Sequence, residues 1–159
     1  MSDISFPIFY DIHLPQVSRE FGFEFCKRTQ SSVFVREKYS SFEDPIEREF
    51  KILNLMEFNS KRKRMSIIVR DEIGQIILLR KGANSIILDR LSKNGRMFET
   101  DTIKHLNEYG EAGLRTLALA FWFLEESEYS AWNVEFLRAK TSMDNDWLAE
   151  LERVSDIIE

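Results

Sequence analysis

Cysteine is nearly missing from this chain. Its 159 residues contain one, Cys26, which excludes an intramolecular disulfide framework and a cysteine-rich zinc site. Histidine is almost as sparse: His13 and His105 lie far apart, and none of the usual His/Cys zinc spacings occurs. Three prolines and six glycines are too few for collagen, proline-rich disorder or flexible linkers. Long apolar runs are missing too. The longest, Leu117 to Leu124, falls well short of the roughly 20 residues that a membrane helix needs. Met1 to Ser5 carry an acid and no Lys or Arg, unlike a secretory signal, so the expected compartment is cytosolic. There is no excess of basic charge either. A net charge of -5 argues against general affinity for nucleic acid or anionic membrane.

What is present suits one soluble domain. Hydrophobic residues make up 43% and charged residues 31%, enough to bury a core and remain in solution. No internal repeat or low-complexity tract interrupts the pattern. Phe6-Pro7 and Leu14-Pro15 disfavour a long helix near the start, and a short one is expected from about Pro15 to Glu20, stopping at Gly22. Alternation predicts strands over Phe23–Lys27, Ser32–Arg36, Glu49–Phe58, Met65–Arg70 and Ile76–Arg80, with a polar loop from Tyr39 to Pro45 and a Gly-containing hairpin loop at 71–75. Cys26, in such an alternation, reads as a small buried hydrophobe.

After Gly82 the period lengthens. Ile86, Ile87, Arg90 and Leu91 suit a short helix ending near Asn94-Gly95. Thr100 or Asp101 is placed to cap a second helix carrying Ile103, Leu106 and Tyr109, which ends at Gly110 or Gly113. Leu114–Phe123 reads as a buried strand. Ser127 opens a helix with Tyr129, Trp132, Phe136 and Ala139 on one face, and Trp147 to Ile158 form a last amphipathic helix that meets the chain end without a cap. The sum is an α+β fold, an antiparallel β-sheet with flanking helices.

Phosphate loops of the G-x-x-x-x-G-K-[ST] and G-x-G-x-x-G types, nucleophile elbows and H-E-x-x-H pairs do not occur. Three stretches remain. In Glu57-Phe58-Asn59-Ser60-Lys61-Arg62-Lys63-Arg64-Met65 an aromatic ends a strand, and four cations follow in a row. Phe58 can offer its face to a flat ring such as adenine, and Ser60 and Lys63 can reach hydroxyls or phosphate oxygens. The plainer reading is a core phenylalanine beside a solvated basic turn. In Lys81-Gly82-Ala83-Asn84 a lysine precedes backbone able to approach a ligand closely; otherwise this is a helix-start turn. In Gly113-Leu114-Arg115-Thr116-Leu117 an arginine opens an apolar strand and needs a partner, either a structural salt bridge or a bound anion.

Taken together and in order, these stretches resemble the nucleotide-binding domain of P-type ATPases, most closely the phospholipid-transporting flippases. The Phe58 run resembles that family's adenine-site motif, Lys81-Gly82-Ala83 its lysine motif, and Gly113-Leu114-Arg115 its arginine motif. Arg19-Glu20-Phe21-Gly22-Phe23 and Glu128-Tyr129 with Trp132 are weaker matches. The resemblance runs from about Ser18 to Glu159, leaving residues 1–17 as a divergent head. It implies that Phe58 stacks on adenine, Ser60 and Lys63 line the nucleotide, Lys81 sits deep, and Arg115, with Thr116 beside it, meets the phosphates. It implies ATP, with Mg2+ in the full-length family, as the ligand, and phospholipid and membrane as partners only through domains outside these residues.

The departures are specific. The family's phosphorylated Asp-Lys-Thr-Gly-Thr motif and its Thr-Gly-Asp hinge do not occur. Its Ser-Pro-Asp-Glu-Ala motif is replaced by a stretch in which Asp11 falls at the Glu position, and Asn84 stands in place of an Asp, a loss of charge expected to loosen the surroundings of Lys81. A partial or truncated gene product is expected. Three readings follow: an ATP-binding module, part of an ATP-driven lipid translocase whose phosphorylated Asp lies elsewhere, or a remnant that has lost nucleotide. For the 159-residue chain alone, no ATP turnover is expected, because no residue here accepts a phosphoryl group in the family's manner. Phosphate release from the pure chain that Lys81→Ala abolishes is the result against this.

Overall fold

A computed structural model gives the fold and describes residues 18–38, 44–143 and 146–159. Six strands follow one another: β1 (Phe23–Arg28), β2 (Ser32–Glu37), β3 (Ile46–Asn59), β4 (Arg64–Arg70), β5 (Ile76–Gly82) and β6 (Ala118–Leu124). They pair in sequence order as one antiparallel sheet. A meander of this kind needs only local turns, and the Ile- and Val-rich β4 and β5 suit its centre. One connection is long. Between β5 and β6 the chain forms α1 (Asn84–Asp89), a 3-10 turn (Lys93–Arg96) and α2 (Glu99–Glu111). The helices α3 (Glu126–Thr141) and α4 (Trp147–Ile158) follow β6. The fold is α+β, as expected.

Strand alternation sorts the core into two faces. Met56, Ile68, Ile76, Leu78 and Leu124 meet Tyr129, Trp132, Phe136 and Ala139 of α3 and Val154 of α4. The α3 residues recur at the helical spacing read from the sequence, so one stripe of the helix is buried. On the other face Val35, Phe50, Val69 and Ile77 form a second cluster, flanked by Ile67, Leu79 and Phe121. A polar chain crosses the first core. The Tyr129 hydroxyl donates to Asn54 Oδ1 at 2.8 Å, and Asn54 Nδ2 donates to Asn133 Oδ1 at 2.9 Å. The Trp132 indole donates to the Val154 carbonyl at 2.8 Å, joining the two helices.

Several expectations are corrected. The strand expected over Leu114–Phe123 begins only at Ala118, and it is not buried. It has one described neighbour, β5, and leaves Trp122 and Phe123 more than half exposed. Thr100 and Asp101 do not cap α2; the helix starts at Glu99, so both lie inside its first turn, and it has no buried residue. The first helix after Gly82 ends earlier than expected, at Asp89. α3 starts at Glu126, with Glu125 rather than Ser127 at its cap position. Cys26 is only half-buried, because the β1–β2 register slips there between Phe25 and Lys27. Of the helix expected near Pro15, Ser18 to Glu20 are helical. The rest of it, Asp11, the other residues of 1–17 and most of the 39–45 loop lie outside the described residues.

Tyr129→Phe is expected to cost about 1–3 kcal/mol, because Asn54 Oδ1 would stay buried without its donor. Urea unfolding of the two proteins checks this; equal midpoints would show that Asn54 repairs the loss.

Candidate functional site

The antiparallel order brings the end of β3, the start of β4, the end of β5 and the start of β6 to one end of the sheet. All three sequence stretches meet there. Met56 pairs with Ser66 and Asn59 with Arg64, so Glu57 and Phe58 together oppose the single residue Met65. This is a bulge, a device that re-aims side chains. Met56 belongs to the helix-side core and Asn59 bonds α4, which leaves Glu57 and Phe58 to the opposite side. Phe58 is 63% exposed, so the core reading of this residue is overturned. Met65 pairs with Lys81, and Lys81 with Leu119. Phe58 and Lys81 therefore lie two strands apart in one row, about 10 Å at ~4.8 Å per strand. Lys81 is half-buried.

The β3–β4 turn is built by Asn59. Its side-chain Oδ1 accepts from the backbone N–H of Lys61 at 2.7 Å and of Arg62 at 3.3 Å, while its carbonyl accepts from Lys63 N–H at 2.7 Å. Closing so tight a turn puts Lys63 at φ +52°, the left-handed region, and no other non-glycine among the described residues adopts it. The Lys63 carbonyl then accepts from Ala83 N–H at 3.0 Å, which ties the turn to the end of β5. Gly82 permits this approach. A Cβ there would stand 2.8 Å from the Lys63 carbonyl oxygen and 2.7 Å from Arg64 Cβ. Ser60 and Lys63 are both exposed.

Arg115 reaches the same end through Gly113. Gly113, at φ +76°, closes α2: its N–H donates to Gly110 O at 3.0 Å, and Leu114 N–H donates to Tyr109 O at 2.9 Å. Arg115 precedes β6 rather than opening it. It is exposed and has no ion-pair partner among the described residues, so the structural salt bridge is absent from this set. Thr116 Oγ1 accepts from Asn84 Nδ2 at 2.6 Å. The Asn84 side chain thus bonds a residue of the arginine stretch through its NH2 end, while its buried Oδ1 has no hydrogen-bond partner among the described residues.

The four cations do not form a solvated run. Arg62 and Arg64 turn inward, toward α4. Arg62 Nη1 and Arg64 Nε both donate to Glu159 Oε2, at 2.8 and 2.7 Å, and Ser66 Oγ donates to Glu159 Oε1. Arg62 Nη2 donates to the Glu57 carbonyl at 2.8 Å, inside the bulge, and Arg64 also pairs with Asp156. Nearby, burial pulls the Arg80 guanidinium down to about 10, against the pull of Glu159, so it stays charged at neutral pH. Glu152, two turns before Glu159, accepts from Asn59 Nδ2 at 2.6 Å and from Lys61 Nζ at 3.0 Å. Sequence reasoning missed Asn59, Glu152 and Glu159. The signal was there: Glu152, Asp156 and Glu159 recur at i, i+4 and i+7 and make one acidic stripe.

Residues 23–154 match the family profile described as P-type ATPase, cytoplasmic domain N. The chain belongs to the P-type ATPase family. It is 65% identical over 142 residues to phospholipid-transporting ATPase 6 of Arabidopsis thaliana, covering 89% of this chain and 12% of that protein. Probable phospholipid-transporting ATPase 5 of the same plant is 64% identical over 142 residues, with the same coverage. Phospholipid-transporting ATPase DRS2 of Saccharomyces cerevisiae is 39% identical over 146 residues, 92% of this chain and 10% of that protein. The chain spans about an eighth of the length of the plant relatives. Among the described residues, no helix is long and apolar enough to cross a membrane.

Two substitutions separate backbone demands from side-chain demands at this end of the N domain. Lys63→Gly removes a left-handed lysine and is expected to leave stability unchanged or raise it by up to about 1 kcal/mol. Gly82→Ala is expected to cost about 1–3 kcal/mol, because the Lys63 carbonyl must move. Urea unfolding measures both. A Lys63→Gly protein weaker by more than 1 kcal/mol would show that the lysine side chain supports the fold.

Proposed function

We propose that this N domain binds ATP at the sheet end formed by Phe58, Ser60, Lys63, Lys81, Arg115 and Thr116. It would hold the nucleotide for phosphoryl transfer to an aspartate of another domain, in an ATP-driven phospholipid translocase. The observation that carries this is the exposed Phe58 ring, aimed by a bulge and placed in a row with Lys81 at the end where Arg115 also arrives. An adenine stacked on Phe58 contributes about 1–3 kcal/mol. Lys63, Lys81 and Arg115 offer charge-assisted bonds to phosphates lying along the row. Ser60 and Thr116 offer hydroxyls. The names of the relatives support the translocase reading.

The donors at this end suit a nucleotide and not a resident metal. They are an aromatic ring, two hydroxyls and three cations, and no group of three His, Cys, Asp or Glu among the described residues is placed to hold an ion. Mg2+ would arrive on the phosphates, where it supplies charge neutralisation. The chain's residues orient the base and the phosphate chain. The basic run itself offers little to a nucleic acid, since Arg62 and Arg64 are engaged beneath the sheet.

Set against the freedom lost on association, on the order of 4–15 kcal/mol, these contacts leave roughly millimolar affinity, about -4 kcal/mol. Chemical-shift titration with ATP is expected to move signals around Phe58, Lys81 and Arg115. Phe58→Ala should weaken ATP and adenosine alike, and Lys81→Ala should weaken ATP more than adenosine. Flat shifts at several millimolar ATP would replace this reading with that of a remnant without nucleotide.

A further inference from the structure

Helix α4 lies on the face of the sheet opposite Phe58, yet it holds both sides of the turn that follows this residue. Asn59 has two ends with different tasks. Its Oδ1 accepts from the N–H groups of Lys61 and Arg62 and shapes the turn, while its Nδ2 donates to Glu152 at 2.6 Å. A carboxylate only accepts, so Glu152 compels the amide to present its NH2 toward α4 and its oxygen toward the turn. The other Glu152 oxygen accepts from Lys61. These two bonds hold its carboxyl below the usual carboxylate range, the Lys61 bond first and the Asn59 bond second. On the far side of the turn Glu159 gathers Arg62 and Arg64, and Arg62 reaches back to the Glu57 carbonyl in the bulge.

We propose that Glu152 is a positioning residue for the base-binding part of the site: through the Asn59 amide it sets the turn and bulge that present Phe58, Ser60 and Lys63. This rests on the ATP-binding reading of that sheet end. Glu152 touches no ligand itself. Its effect should fall on recognition of the base, before any phosphate is involved. Gln at this position keeps a carbonyl acceptor for Asn59 and loses only the charge facing Lys61, so it should preserve the effect. Lys61→Ala removes the charge partner and leaves the amide route intact.

The test uses the whole 159-residue chain and two probes, ATP and adenosine, in chemical-shift titrations of wild type, Glu152→Ala, Glu152→Gln and Lys61→Ala, with folding checked by circular dichroism. Glu152→Ala is expected to raise the Kd of both probes by the same factor, about 3- to 10-fold, and to speed amide exchange at Lys61 and Arg62. Glu152→Gln and Lys61→Ala are expected to stay within about twofold of wild type. Should Glu152→Ala fail to fold, Asn59→Asp serves in its place. It keeps the acceptor for the turn but sets two carboxylates against each other, and the same loss of adenosine binding is expected at pH 8. Unchanged adenosine binding in Glu152→Ala, a loss confined to ATP, or a Lys61→Ala protein as weak as Glu152→Ala would each overturn the proposal. A wild type silent to both probes would overturn the ATP-binding reading instead. In that case the exchange rates at Lys61 and Arg62 decide whether Glu152 sets the turn: faster exchange in Glu152→Ala supports it, and unchanged exchange refutes it.

Discussion

Two guanidinium groups that leave water must find an anion, and in this domain Arg62 and Arg64 find the same one, Glu159. Leaving either unpaired in the interior would cost several kcal/mol, so the turn between β3 and β4 and the last turn of α4 are bound to each other. The consequences spread from there. α4 is seated where its carboxylates meet the sheet, and α3 follows through the bond from Trp132 to the Val154 carbonyl. Asn59 is in reach of Glu152, and the Lys63 carbonyl reaches Ala83. The position of Gly82, and with it that of Lys81 one residue earlier, depends on that contact.

A strand's period of two then divides labour within one short run of sequence. On β4, Arg64 and Ser66 point to the helix side and contact Glu159, while Met65 between them belongs to the row that holds Lys81 and Leu119. The bulge at Glu57 and Phe58 adds one residue to β3 and so changes which side the next residues serve. Without it, Asn59 would not sit opposite Arg64 on the α4 side. The same irregularity that exposes the Phe58 ring therefore gives Asn59 its partner in α4. The proposed ligand-facing residue and the structural anchor are adjacent in the chain, and neither can shift a register without moving the other.

The elements of this N domain with the clearest periodicity were legible in the sequence. The five strands expected before Gly82 match β1 to β5, and the stripe of Tyr129, Trp132, Phe136 and Ala139 is the buried face of α3. These are local patterns, set by side-chain spacing and burial. The misreadings share a cause. Leu114–Phe123 is apolar enough for a central strand, but whether an apolar strand is central or at an edge depends on what pairs with it. Likewise Thr100 and Asp101 are good capping residues inside a helix that starts one position earlier.

The candidate site divides in the same way. The residue types at Phe58, Lys63, Lys81 and Arg115, and their order, were readable without coordinates, because aromatic and cationic side chains carry their chemistry with them. That these positions meet at one sheet end follows from the meander, whose strand order no single stretch encodes. The inward turn of Arg62 and Arg64 was decided by the tertiary structure alone. A run of four cations has no inside or outside until a helix more than 80 residues later brings Glu152, Asp156 and Glu159 against it. The sequence by itself determined the elements and the chemistry available; the pairing of charges across that distance decided which cations face solvent and which are locked into the fold, because only a buried charge is compelled to find its partner.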